Sequence, residues 1–180
     1  NKDTISVENK VIAETKKIYI ALNKPRGLVT TLSDEKNRQT VFQCFADSDL
    51  PYIFPVGRLD KASEGLLLFT NDTEWANCIL NPENHIEKKY HVQIDRIADE
   101  DLIKKLIKGC YDEGEFLNVK DAKIIRFGKK NSWLEIVLDE GKNRHVRRLL
   151  SHFGVNVLRL IRISIGQIKL GNLAKGKYRY

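Results

Sequence analysis

Methionine is absent from this chain of 180 residues, and cysteine is scarce. The three cysteines, Cys44, Cys78 and Cys110, are odd in number and widely spaced. They form no zinc-type pair and no disulfide framework, and read as buried or inert thiols of a reducing compartment. Long apolar runs are missing too. A stretch such as Gly65-Leu66-Leu67-Leu68-Phe69 falls far short of a bilayer span, and no signal-peptide pattern opens the chain. A cytoplasmic protein with no membrane partner is therefore expected. With Asn1 in front and no methionine, the chain reads as a piece of something longer. There is no Gly-rich phosphate loop, no dinucleotide fingerprint and no Ser in a nucleophile elbow. His85, His91, His145 and His152 have no ligand spacing with one another or with the cysteines. Neither a metal nor a cofactor is expected.

Positive charge is plentiful. Thirty-one Lys and Arg stand against 24 Asp and Glu, a net charge of +7, with a pI near 9.3. Such an excess suits a polyanionic partner. At 42% hydrophobic and 31% charged, the composition is that of a globular protein with one generous domain or two small lobes sharing a core.

Residues 1–17 are polar and read as a tail with one short strand. Ile18 to Leu22 reads as a buried strand that stops at Lys24-Pro25-Arg26-Gly27. Gly65 to Thr70 is another strand. Asn71-Asp72-Thr73 offers N-cap chemistry for a helix ending before Pro82. Tyr90 to Ile94 alternates like a strand. Asp99 caps a helix through Lys108 that Gly109 stops. Ala122 to Phe127 and Trp133 to Leu138 form a strand pair around a turn at Gly128 to Asn131. Asn143 to Phe153 predicts a helix, Val157 to Ile165 a long strand, and an irregular basic tail follows. Strands outnumber helices and connections are mostly short, which points to an α+β fold with a largely antiparallel sheet. No internal repeat or low-complexity stretch appears.

Three constellations carry possible chemistry. Gly57-Arg58-Leu59-Asp60-Lys61 forms a loop with Asp60 at its tip; a lone Asp in such a turn ordinarily bonds local backbone amides. Lys142, Arg144, Arg147 and Arg148 lie within seven residues without an acid among them. Val146, Leu149, Leu150 and Phe153 mark the core face of that helix. Arg144, Arg147 and Arg148 share another face, where guanidinium groups bind phosphates or clamp a carboxylate. Lys88-Lys89-Tyr90 puts an aromatic ring at a strand start, suited to packing or to stacking on a base.

Together these segments resemble the RsuA/RluB/RluE/RluF class of ribosomal RNA pseudouridine synthases. Lys24-Pro25-Arg26-Gly27 looks like the first motif, and Gly57 to Asp72, GRLDKASEGLLLFTND, is similar to the highly specific second motif. Lys89-Tyr90, then EGKNRHVRRLL from Glu140 to Leu150, then Leu158 to Arg162 with Gly166, follow in family order. The likeness covers 18–180, read as the catalytic domain, and residues 2–12 look like the end of the S4 RNA-binding domain that usually precedes it. Thr73 and His145 depart from the family's common Gly and Gln or Glu.

The resemblance implies a fold of two lobes with flanking helices and a central cleft. It also implies an isomerisation of uridine to pseudouridine with no cofactor. The class implies ribosomal RNA as partner, the large-subunit RluB type being the better match, and the chain is expected to be a monomer. Asp60 inherits the role of catalytic carboxylate, Arg147 that of its ion-pair partner, and Tyr90 that of the ring stacked on uracil. Arg58 would fill the space of a flipped base or grip the next phosphate. Lys24, Arg26, Lys142, Arg144, Arg148, Arg159 and Arg162 would bind RNA. A catalytically silent RNA-binding module is the alternative; it would keep the cationic helix and have no need of Asp60.

Overall fold

The computed structural model describes residues 6–7, 10–11, 16–32, 36 and 38–180. Two short strands, β1 (Ser6–Val7) and β2 (Lys10–Val11), pair with each other. The rest of the reading of residues 2–12 as an S4 remnant lies outside the described residues. The following strands are β3 (Tyr19–Lys24), β4 (Phe54–Val56), β5 (Glu64–Thr70) and β6 (Lys88–Ile94). A hairpin, β7 (Cys110–Asp112) with β8 (Glu115–Leu117), stands apart from the main sheet. Then come β9 (Asp121–Phe127), β10 (Ser132–Leu138), β11 (Val157–Ile165), β12 (Ile168–Lys169) and β13 (Tyr178–Arg179). The helices are α1 (Thr73–Leu80), α2 (Glu100–Lys108) and α3 (His145–His152).

Nine strands form one mixed sheet in the order β13-β3-β5-β11-β6-β10-β9, with β4 added to β5 and β12 to β11. Every pairing in it is antiparallel except β5 with β11. That parallel pairing joins the two halves of the sheet through only Ile161↔Glu64 and Arg162↔Gly65. Gly65 sits at φ +100, and a Cβ there would overlap the backbone of Arg162. The seam therefore closes only because residue 65 has no side chain.

Each half buries its own core. Leu134, Ile136 and Leu138 of β10 and Val92 and Ile94 of β6 pack under Leu102, Ile103 and Leu106 of α2 and Val146, Leu149 and Leu150 of α3. Ile20, Leu22, Leu67 and Phe69 form a second core, with the 3-10 turn at Val41–Phe45, and Ala21, Val56, Leu66, Leu68, Ala76 and Ile79 belong to a third. Tyr90 packs against the first two. The expected caps are present: Asp72 accepts from the amides of Glu74 and Trp75 at 3.1 and 3.2 Å, and Asp99 from that of Leu102 at 2.8 Å.

Three readings change. The helix expected from Asn143 starts at His145, because Arg144 adopts a left-handed conformation at φ 49. The C-terminal tail is not irregular throughout, since β13 pairs with β3. Cys78 is exposed, Cys44 half-buried and Cys110 buried, so the thiols are not uniformly hidden. Among the described residues no helix is long and apolar enough to cross a membrane.

Candidate active site

The loop between β4 and β5 is built from below. Lys24, fully buried at the end of β3, donates from its ammonium to the carbonyls of Pro25, Asp60 and Ser63 at 3.2, 3.1 and 2.8 Å. Burial pushes its pKa down to about 8, with the charges of Asp60, Cys44 and Glu64 acting the other way. Gly27 donates its amide to the Lys61 carbonyl at 2.8 Å, and the Thr30 hydroxyl bonds both the carbonyl and the amide of Leu59. The amide of Ser63 closes the turn on the Asp60 carbonyl at 2.9 Å. Residues 59–63 are thus fixed by their backbone, leaving the Asp60 carboxylate free for other work.

That carboxylate faces α3. Arg147 Nε lies 3.8 Å and Arg144 Nη1 4.0 Å from Asp60 Oδ2. The two differ in setting, since the Arg147 side chain is 14% exposed and that of Arg144 54%. Arg147 also donates to the carbonyls of Ala62 and Val157 at 3.2 and 3.4 Å. Burial lowers its pKa, Asp60 opposes that, and Arg144 and Arg26 add to the lowering. Its Nε is buried and has no hydrogen bond among the described residues, about 1 Å beyond bonding distance of Asp60. Such a gap is the kind that tightens on engagement of a substrate.

Asp60 opens into a cleft of about 470 Å³ shared with Tyr90, Arg58, Lys88, Arg144 and Arg162, a size typical of small-ligand sites. Lys142 and His145 line it as well. His145 is buried and lies 2.8 Å through Nε2 from the Asn118 carbonyl; burial lowers its pKa. The neutral ring therefore donates through Nε2. Among the described residues no three His, Cys, Asp or Glu side chains gather as a metal site.

The structure brings Asp60, Tyr90, Arg147, Arg144, Arg58 and Arg26 to one region, and Arg58, Arg26 and Arg144 are exposed. It does not offer every expected cation to RNA. Lys24 is the internal prop of the loop. Arg148 turns away to Asp112 at 2.6 Å and Glu115 at 2.5 Å, clasping the β7–β8 hairpin. Arg159 makes a two-pronged pair with Glu64 at 3.0 and 3.1 Å and lies over the Trp133 ring. Burial raises the pKa of Glu64, but the bonds from Arg159 and Lys175 outweigh it and hold the carboxyl below its usual range. Arg162 is buried in the wall of the cleft, its Nε bonded to the Leu66 carbonyl at 2.7 Å. Lys142 is bound to Glu140 at 2.9 Å on the rim. Sequence reasoning named Lys88 beside Tyr90 but gave it no role of its own; its place two residues before Tyr90 on one strand was the available signal.

The model of the RNA pseudouridylate synthase family matches residues 18–152. The chain belongs to that family. Among its relatives, an uncharacterized RNA pseudouridine synthase of Rickettsia bellii is 42% identical over 156 residues, 87% of this chain and 67% of that one. Ribosomal large subunit pseudouridine synthase B of Bacillus subtilis is 35% identical over 181 aligned residues, 98% of this chain and 73% of its own length. A crystal structure of a pseudouridylate synthase superposes with a TM-score of 0.79 at 29% identity, covering 98% of this chain and 75% of the other. The synthase is thus an enzyme that isomerises uridine to pseudouridine in RNA, on the expected α+β fold.

Proposed function

We propose that this synthase modifies a uridine of large-subunit ribosomal RNA, with residues 18–180 as its catalytic domain and Asp60 as its catalytic carboxylate. The observation that carries the assignment is the Asp60 carboxylate, held by its own backbone and set 3.8 Å from Arg147 in a cleft that also holds Tyr90. The name of the Bacillus relative supports the choice of subunit. A target uridine flips out of the RNA to reach the cleft. Tyr90 stacks on the ring, Asp60 acts at the ribose or the base, and Arg147 balances its charge throughout. Arg58, Arg26, Lys142 and Arg144 grip the RNA backbone around the site. The enzyme works as a cytoplasmic monomer. A silent RNA-binding module is not favoured, because it gives no reason to tie four backbone positions down around one carboxylate.

Mapping of pseudouridines in ribosomal RNA from cells lacking the gene tests this. One large-subunit site should vanish and return with the wild-type protein but not with Asp60→Asn, which should lower turnover by about 10⁴-fold or more. A lost site in the small subunit would refute the subunit assignment. Restoration by Asp60→Asn would refute the catalytic one.

A further inference from the structure

Two cations on the floor of the cleft are left unexplained by the loop and by α3. Arg162 is only 6% exposed and lines the cleft. Its Nε donates to the Leu66 carbonyl at 2.7 Å, whereas Nη2 is buried and has no partner among the described residues. Lys88 lines the same cleft, half-buried. Burial lowers its pKa, the Arg162 charge lowers it further, and Asp139 opposes both. The register fixes where these groups stand. Tyr90 and Arg162 are directly opposed across the antiparallel β6–β11 pair, so their side chains leave the same face of the sheet, about 5 Å apart at Cβ. Lys88 is two residues from Tyr90 on β6 and shares that face. Two neighbouring cations in a partly buried floor oppose each other, and an unpaired guanidinium nitrogen costs more. An apolar pair would close the floor at less cost.

We propose that Arg162, with Lys88 beside it, contacts the target base and stabilises the negative charge that the base acquires when the glycosidic bond opens. The inference rests on the synthase reading above. Cleavage of N1–C1′ leaves the bonding electron pair on the base, shared among N1, O2, O4 and C5, while Asp60 answers the electron-poor ribose. After the base turns, the pair at C5 forms the bond to C1′. C5 gives up its proton, N1 regains one, and nothing is oxidised or reduced. The base is an anion between the two bonding events, and fixed cations beside a stacked ring act most strongly there.

The test is a single-turnover comparison on two versions of one ribosomal RNA transcript, with uridine or 5-fluorouridine at the target, read as loss of the starting nucleoside. Fluorine makes the departing base more acidic, so it depends less on an outside cation. Arg162→Gln should slow the uridine reaction by about 100-fold or more and Lys88→Gln by about 10-fold. Both deficits should shrink several-fold on 5-fluorouridine. RNA affinity and its salt dependence should match those of the wild type, because neither cation meets a phosphate. Equal deficits on the two RNAs, or no deficit, overturn the proposal; so does a loss of affinity with a shallower salt slope. If Arg162→Gln fails to fold, Lys88→Gln decides by the same ratio. A wild type inactive on both RNAs refutes the synthase reading itself, whereas an active wild type with equal deficits refutes only the role of the floor.

Discussion

At the scale of the residue, the site separates tasks that composition alone lumps together as positive charge. Arg147 is mostly buried beside Asp60, and Arg144 reaches the same oxygen from solvent. Arg147→Ala should therefore cut the single-turnover rate by about 100-fold with a small change in affinity, since its effect is felt in the transition state. Arg144→Ala should do the reverse. Similar losses of rate from both would leave Arg147 with no special role. Lys24 makes a different prediction. Its pKa falls from 10.5 to about 8 on burial, so between those values the unfolded chain binds more protons than the folded one. The contribution of Lys24 to stability is fully present above 10.5 and is lost as pH falls through about 8. Urea midpoints of the wild type and Lys24→Gln at pH 7.5, 9 and 10 check this. The difference should move in favour of the wild type as pH rises.

At the scale of the element, most of the sheet was legible because alternation and caps are local. Strand β11 is found where its apolar periodicity placed it, and α1 and α2 begin at the Asp residues that cap them. The β7–β8 hairpin was missed: three residues a side is too short for a pattern, and its hold on the domain comes from a residue more than thirty positions away, Arg148. The same distance hid the fate of Arg148 itself, which a helical wheel places beside Arg144 and Arg147. Hydrogen bonds to Glu115 and then Asp112 push its pKa up. Arg148→Ala should consequently lower the melting temperature by a few degrees and expose the hairpin to proteolysis near Tyr111. An unchanged melting temperature with weaker RNA binding would return Arg148 to the RNA surface. Asp60 and Tyr90, named from motif order, share one cleft, whereas the inward turn of Lys24 was not legible, because it depends on carbonyls of a loop far along the chain.

At the scale of the whole molecule, a net charge of +7 overstates what RNA can meet. Lys24, Arg148 and Arg159 are engaged by carbonyls or carboxylates of the fold, and Arg162 is buried on the cleft floor with its Nε bonded to the Leu66 carbonyl. Removing Arg144 or Arg58 should reduce the slope of log affinity against log salt by about 0.7–0.9 each, and removing Arg148 should leave it unchanged. Titrations of one transcript across a salt series measure all three; a uniform reduction would mean that the internal pairs open on RNA. The seam between the two halves carries a consequence of another kind. Residue 65 lies against the Arg162 backbone in a conformation that side chains rarely adopt, and every missense change in a glycine codon adds at least a Cβ. At position 65 every such change drives an atom into that backbone, so the line along which the two halves meet admits no side chain of any size.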